Sequence, residues 1–261
     1  MDAMEPSRSF ATMTFRTAVL VAVAVALTFG IEPALNAVGL HGWAKGALGH
    51  YGFYKLYIAS EFVLVFVAVM AMWRAGLGRA LDELGLAHLS VPGVLSCFAA
   101  VAAAVAVLLY AGAKWAPQAI DSLLIFGVVG PFVEEVLFRG FLFRQLRRWA
   151  GLPFWVAALL ASLLFGAVHF DQGDTLANSL MNSGITFAGG VLFCWLVERW
   201  NSIWPGFVIH AGLNLLWSVY TLGDNAVGGQ MGNLARLATI IVALVATFAI
   251  PQRHAVSATA S

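Results

Sequence analysis

The stretch Pro131-Phe132-Val133-Glu134-Glu135-Val136-Leu137-Phe138-Arg139-Gly140 sets two carboxylates and a guanidinium inside a long apolar run. An ionisable group near the middle of a membrane helix costs roughly 2.5–3.5 kcal/mol on insertion scales, so three so close together need a structural or functional reason. Residues four apart share a helix face, and Glu placed N-terminal to its basic partner is the favourable order. A Glu135–Arg139 pair along one stripe is therefore predicted. Glu134 points about 100° away from Glu135, given ~3.6 residues per turn, and is the spare carboxylate. With no partner on its own stripe, it is a candidate general base.

The rest of the chain says that this run lies in a membrane. Of 261 residues, 61% are hydrophobic and 10% charged, with a mean hydropathy of +0.86; a soluble domain carries about 25% charged residues. The net charge of +1 and the lack of a phosphate-cradling glycine loop give no sign of a nucleic-acid partner. Cys97 and Cys194 sit in apolar stretches without neighbouring metal ligands and read as buried thiols. Apolar segments of spanning length occur at Thr17–Leu40 (broken near Glu32-Pro33), Tyr51–Trp73, Val91–Ala113, Ala119–Phe143, Pro153–Phe170, Leu176–Val197, Ile203–Leu222 and Leu234–Ile250. The expected fold is all-α, a polytopic membrane protein built as a helical bundle of about eight transmembrane helices. Arg8 and Arg16 followed by Ala18–Gly30 also suit a cleaved signal peptide, although no small-residue cleavage site ends that run.

Orientation follows from the basic residues. Arg8, Arg16, Arg74, Arg79, Arg144, Arg147, Arg148, Arg199 and Arg253 fall on one side, and Lys45, Lys55, Lys114 and Arg236 on the other. The positive-inside rule then puts both termini in the cytoplasm of a multi-pass protein, with the plasma (inner) membrane as the expected location. Leu77–Ser90 and Gly223–Asn233 read as the longest plain loops, and His41, His50, His88 and His254 as surface histidines.

Two further polar groups sit in apolar helices. His169 lies beyond a tight turn at Gly151-Leu152-Pro153. In an antiparallel hairpin, residues equidistant from the turn meet, which brings Glu134 within about one helical turn of His169. His210 and Asn214 project from one face at i, i+4 spacing, with Ala211 and Gly212 beside them allowing close backbone approach. Glu134 and His210 each lie about 10 residues, or ~15 Å, below the cytoplasmic boundary. A water between Glu134 and His169 could be deprotonated for attack on a carbonyl while His210 and Asn214 donate to the oxyanion. Ser162 and Ser183 have no base at helical spacing and read as packing hydroxyls. The same Glu134, His169 and His210 would also serve as a proton relay in a non-proteolytic carrier or scaffold.

The ordered set Glu134-Glu135-Val-Leu-Phe-Arg139, Phe165-Gly-Ala-Val-His169 and His210-Ala-Gly-Leu-Asn214 resembles the CPBP family of intramembrane proteases, the CAAX-processing and bacteriocin-protection (Abi) family. The resemblance implies a glutamate-dependent peptide hydrolase acting on a membrane-associated protein or peptide within the lipid bilayer. It implies Glu134 and His169 as the water-activating pair, His210 and Asn214 as the oxyanion hole, and Glu135 with Arg139 as support for the site. It divides the chain into N-terminal transmembrane helices (1–117), a CPBP-like catalytic core (118–222), and a final helix with a cytoplasmic tail (223–261). No cofactor is expected. Zinc held by Glu134, His169 and His210 is the alternative, disfavoured because no carboxylate stands behind either histidine in the sequence pattern.

Overall fold

The computed structural model describes residues 10–116, 118–222 and 227–251. The elements run α1 (Phe10–Ala37), α2 (Leu40–Leu48), α3 (Gly52–Trp73), α4 (Leu77–Glu83), α5 (Val91–Tyr110), β1 (Lys114–Trp115), α6 (120–148), α7 (Phe154–Ala167), α8 (Leu176–Trp200), α9 (Trp204–Val219), β2 (Tyr220–Thr221) and α10 (Gly229–Ala249). The two short strands pair antiparallel, Lys114 opposite Thr221 and Trp115 opposite Tyr220, and tie the end of α5 to the end of α9. The protein is an all-α, integral, multi-pass membrane protein.

Among the described residues, six helices are long and apolar enough to span: Phe10–Ala37, Gly52–Trp73, Val91–Tyr110, Phe154–Gln172, Leu176–Trp200 and Gly229–Ala249. The expected count of eight is not reached on length and composition alone. The two remaining apolar stretches fall in α9, which has only 16 residues, and in α6, which carries the charged cluster. The first helix also differs from expectation. It passes through Pro33 unbroken, and the chain turns instead at Gly39, whose φ of 75° is open to glycine at no steric cost.

Helix α6 lies at the centre. Its α-turns (Ile120–Ser122, Gly130–Glu134, Arg144–Arg148) alternate with two π-helical stretches, Leu123–Val129 and Glu135–Phe143. Val136, Leu137, Phe138, Phe141, Leu142, Phe143 and Leu146 are all buried, in one core with residues of α1, α3, α7 and α8. A second core joins α5, α8, α9 and α10. Phe98, Leu109, Trp155, Leu163 and Phe248 are exposed, as side chains facing lipid tails would be.

The segment read as a plain loop, Leu77–Ser90, contains α4 and is locked to the foot of α6. Arg144, only 4% exposed, donates to the Glu83 carbonyl (2.9 Å), the Asp82 carbonyl (3.0 Å) and Asn201 Oδ1 (2.8 Å). Gln145 Nε2 donates to the Glu83 carbonyl at 3.1 Å, and Arg148 pairs with the Glu83 carboxylate at 3.0 Å. Gly140 permits the approach, since a Cβ there would stand 2.7 Å from the Leu84 carbonyl oxygen. Burial, reinforced by the Arg148 charge, lowers the Arg144 guanidinium to about 10, which leaves it charged at neutral pH. The basic run read as a membrane anchor is thus also a clamp.

Hydrogen bonds to charged groups contribute about 1.5–3 kcal/mol each. Arg144→Ala is expected to lower the thermal midpoint of the detergent-solubilised protein by several degrees, whereas removing the exposed Arg79 shifts it little, because exposed pairs contribute ~0–1 kcal/mol. Equal midpoints for the two variants would count against the clamp.

Candidate active site

The site is built where the α-turn ending at Glu134 passes into the π-helical stretch Glu135–Phe143. Such wider turns inside α-helices occur frequently at functional sites. Glu135 and Arg139 are 0% and 1% exposed, and Arg139 Nη1 stands 3.1 Å from Glu135 Oε1. The guanidinium is packed between rings, 4.0 Å from the Phe165 centroid and 4.9 Å from that of Phe193. Cation–π contacts of this kind are strongest where water is excluded.

The pair has a third member. His210 Nδ1 lies 2.9 Å from Glu135 Oε1, so the oxygen that faces Arg139 also orients the imidazole. The sequence pattern showed no carboxylate behind a histidine, because Glu135 and His210 are 75 residues apart and meet only when α9 packs on α6. One signal was present: Gly206 stands a helical turn before His210, and a Cβ there would come within 3.1 Å of Glu135 Oε2. The glycine makes room for the carboxylate.

His169 is set by its own helix end. Its Nδ1 lies 2.8 Å from the Phe165 carbonyl, which can only accept, so Nδ1 carries the proton. Asn182 on α8 donates to the His169 carbonyl (2.9 Å) and to Gln172 Oε1 (3.2 Å), and Gly166 lets the α8 backbone close in, since a Cβ there would be 2.8 Å from the Ser183 carbonyl oxygen. Among the described residues, Ser183 Oγ is buried without a hydrogen-bond partner, and Ser162 Oγ is buried beside the Cys194 thiol.

Both imidazoles are therefore held at Nδ1 and present Nε2 to one place. Glu134 Oε2 is 3.5 Å from His210 Nε2 and 4.0 Å from His169 Nε2, while 33% of the Glu134 side chain stays open. A water seated beside these three atoms, rather than between them, would bridge them. The Asn214 amide donates to the Phe126 carbonyl at 3.2 Å and ties α9 to the first π-helical stretch. Among the described residues it makes no hydrogen bond to His210 or Glu134.

The donor types of Glu134, His169 and His210 suit zinc, and the Glu135 carboxylate and the Phe165 carbonyl stand behind the two histidines as such a site requires. The spacing is looser: among the described residues no three His, Cys, Asp or Glu groups converge as a metal site. Sequence reasoning also passed over Glu61 on α3, a carboxylate 5% exposed near the middle of a spanning helix. Its signal was the same one that singled out Glu134, an ionisable residue in an apolar span.

Fold and cluster together define a polytopic membrane protein with a Glu/His site sunk between its helices. Residues 116–216 match the family described as "Type II CAAX prenyl endopeptidase Rce1-like". That segment holds Glu134, Glu135, Arg139, Phe165, His169, His210 and Asn214, and the match bears out the resemblance over this part of the chain. A Bacillus subtilis (strain 168) protein named "Putative membrane peptidase YdiL" is 33% identical over 92 residues, 35% of this chain and 34% of that protein. The chain thus matches only about a third of the relative's length. No solved structure matches it.

Because breaking a buried charge pair costs ~3–5 kcal/mol, Arg139→Ala is expected to reduce the yield and melting temperature of folded protein, while Glu134→Gln leaves both near wild type. Size-exclusion recovery and thermal melts check this. Equal losses in the two variants would erase the division between bracing and working carboxylates.

Proposed function

We propose that the protein is an intramembrane endopeptidase that hydrolyses a peptide bond in a membrane-associated protein or peptide. The observation that carries this is the convergence of two oriented Nε2 atoms on Glu134 Oε2, an oxygen buried without a hydrogen-bond partner among the described residues while a third of the side chain stays open. A water bound there gives one proton to Glu134 as its oxygen attacks the carbonyl carbon, and His169 Nε2 accepts the water's second hydrogen bond. The carbonyl oxygen becomes an oxyanion. To donate from Nε2 while Nδ1 bonds Glu135, His210 takes its imidazolium form, whose charge the Glu135 carboxylate answers. Asn214 keeps a second amide hydrogen for the same oxyanion. Collapse of the intermediate breaks the C–N bond, and the proton on Glu134 passes to the leaving nitrogen.

The family description supports substrates of the CAAX prenyl type as first candidates. In the orientation set by the basic residues, both termini are cytoplasmic, the membrane is the plasma (inner) membrane, and the reacting water lies ~15 Å below the cytoplasmic surface. No nucleic acid takes part. The reaction as written needs no metal. Were zinc bound, Glu134, His169 and His210 would hold it and it would supply Lewis-acid activation of the water.

Wild-type protein reconstituted in lipid and given a peptide library is expected to produce defined cuts by mass spectrometry, and Glu134→Gln is expected to produce none. A Glu134→Gln preparation that cuts equally well, or a wild type that cuts nothing, would refute the protease reading. Asn214→Ala should lower kcat about 10²–10³-fold with KM less affected, as loss of an oxyanion donor does. Stringently chelated, metal-free enzyme is expected to keep its activity; loss of activity restored by zinc would replace the metal-free reading.

A further inference from the structure

Glu61 has no role in the mechanism above, and its surroundings are unusual for a buried carboxylate. It is 5% exposed, lies near the middle of the 22-residue α3, and forms no hydrogen bond or ion pair among the described residues. The groups that could satisfy it are committed elsewhere. Arg139 is held by Glu135 at 3.1 Å, Lys55 pairs with Asp121 at 3.5 Å, and the Tyr57 hydroxyl, one turn before Glu61, donates to the Thr28 carbonyl at 3.3 Å. What does reach Glu61 is another carboxylate, since Glu61 and Glu134 interact electrostatically.

The packing explains how the two come together. Phe62, next to Glu61 in the chain, stands 5.9 Å from Phe132, two residues before Glu134. A cavity of about 510 Å³ lies between α3 and α6, walled by Ile58, Ala59, Phe62, Phe132 and Val133, with Lys55 and Asp121 also on its lining. Its lining carries Phe62 and Val133, the chain neighbours of Glu61 and Glu134, but neither carboxylate itself. Two carboxylates in a medium of low dielectric cannot both ionise without strong repulsion, and a cation between or beside them removes that cost.

We propose that Glu61 is a specificity group that receives a basic side chain of the peptide substrate, lysine or arginine, while Glu134 acts on a neighbouring peptide bond. This rests on the proteolytic reading of the Glu134 site. Charge pairing with an otherwise unpaired buried carboxylate discriminates strongly, because the uncharged competitor leaves the carboxylate unanswered.

The test uses the full-length protein in lipid nanodiscs and fluorogenic peptides that differ at one position, carrying lysine, its uncharged isostere norleucine, or glutamate, moved across three positions on either side of the cut. Wild type should prefer lysine to norleucine by about tenfold or more in kcat/KM at one of these positions, equivalent to about 1.4 kcal/mol. Glu61→Gln should bring that ratio close to one, and Glu61→Lys should reverse the preference toward glutamate. A lysine preference that persists in Glu61→Gln, or a wild type indifferent to charge at every position, overturns the proposal. If the peptides are bound and not cut, the proteolytic reading fails by itself, and fluorescence anisotropy still decides here. Tighter binding of the lysine peptide that is lost in Glu61→Gln supports Glu61 as the receptor, and equal affinity for the lysine and norleucine peptides overturns it.

Discussion

One oxygen atom organises the centre of this protein. Glu135 Oε1 is shared by the Arg139 guanidinium at 3.1 Å and His210 Nδ1 at 2.9 Å, with no exposure to solvent on the carboxylate. Burying a carboxylate without partners is prohibitive, so the arrangement forces α9 onto α6 and sets the face that His210 presents. Gly206 provides the space, and Phe165 and Phe193 close over the guanidinium. Once this contact forms, His210 has one orientation, and its Nε2 points at the carboxylate one residue earlier in the chain.

Glu134 and Glu135 are adjacent yet do different things because about 100° of helix separates them. Glu135 is sealed among ring faces and a cation. Glu134 keeps an open side and faces two nitrogens that are already oriented from behind, His210 by Glu135 and His169 by the Phe165 carbonyl. The π-helical stretch beginning at Glu135 marks the change from one role to the other. In the proposed mechanism the chemistry therefore depends on a buried support whose own groups take no part in bond making.

Much of this was legible in the sequence because it depends on local periodicity. The Glu135–Arg139 pair follows from i, i+4 spacing, and the meeting of Glu134 with His169 follows from a hairpin reflected about Gly151. What was hidden depends on contacts between distant helices. No spacing rule links Glu135 to His210, so the carboxylate behind the histidine appeared only in the folded chain. Asn214 shares a helix face with His210, yet its amide is turned to the Phe126 carbonyl, a partner that the break in α periodicity at Leu123–Val129 places there. The segment Leu77–Ser90 looked like a loop because α4 is a single short helix, and its attachment to Arg144 runs through backbone carbonyls that no side-chain pattern records. Glu61 was visible all along as a charge in an apolar span.

In the proposed mechanism Glu134 supplies the carboxylate that activates water while Glu135 only supports. This division is tested most directly by chemical rescue: Glu134→Gly protein in lipid, a cleavable peptide, and turnover followed as formate is added. No cleavage is expected without formate and a saturable return of cleavage with it, as the small carboxylate occupies the vacated space between His169 and His210. Undiminished cleavage by the variant in the absence of formate would contradict this division.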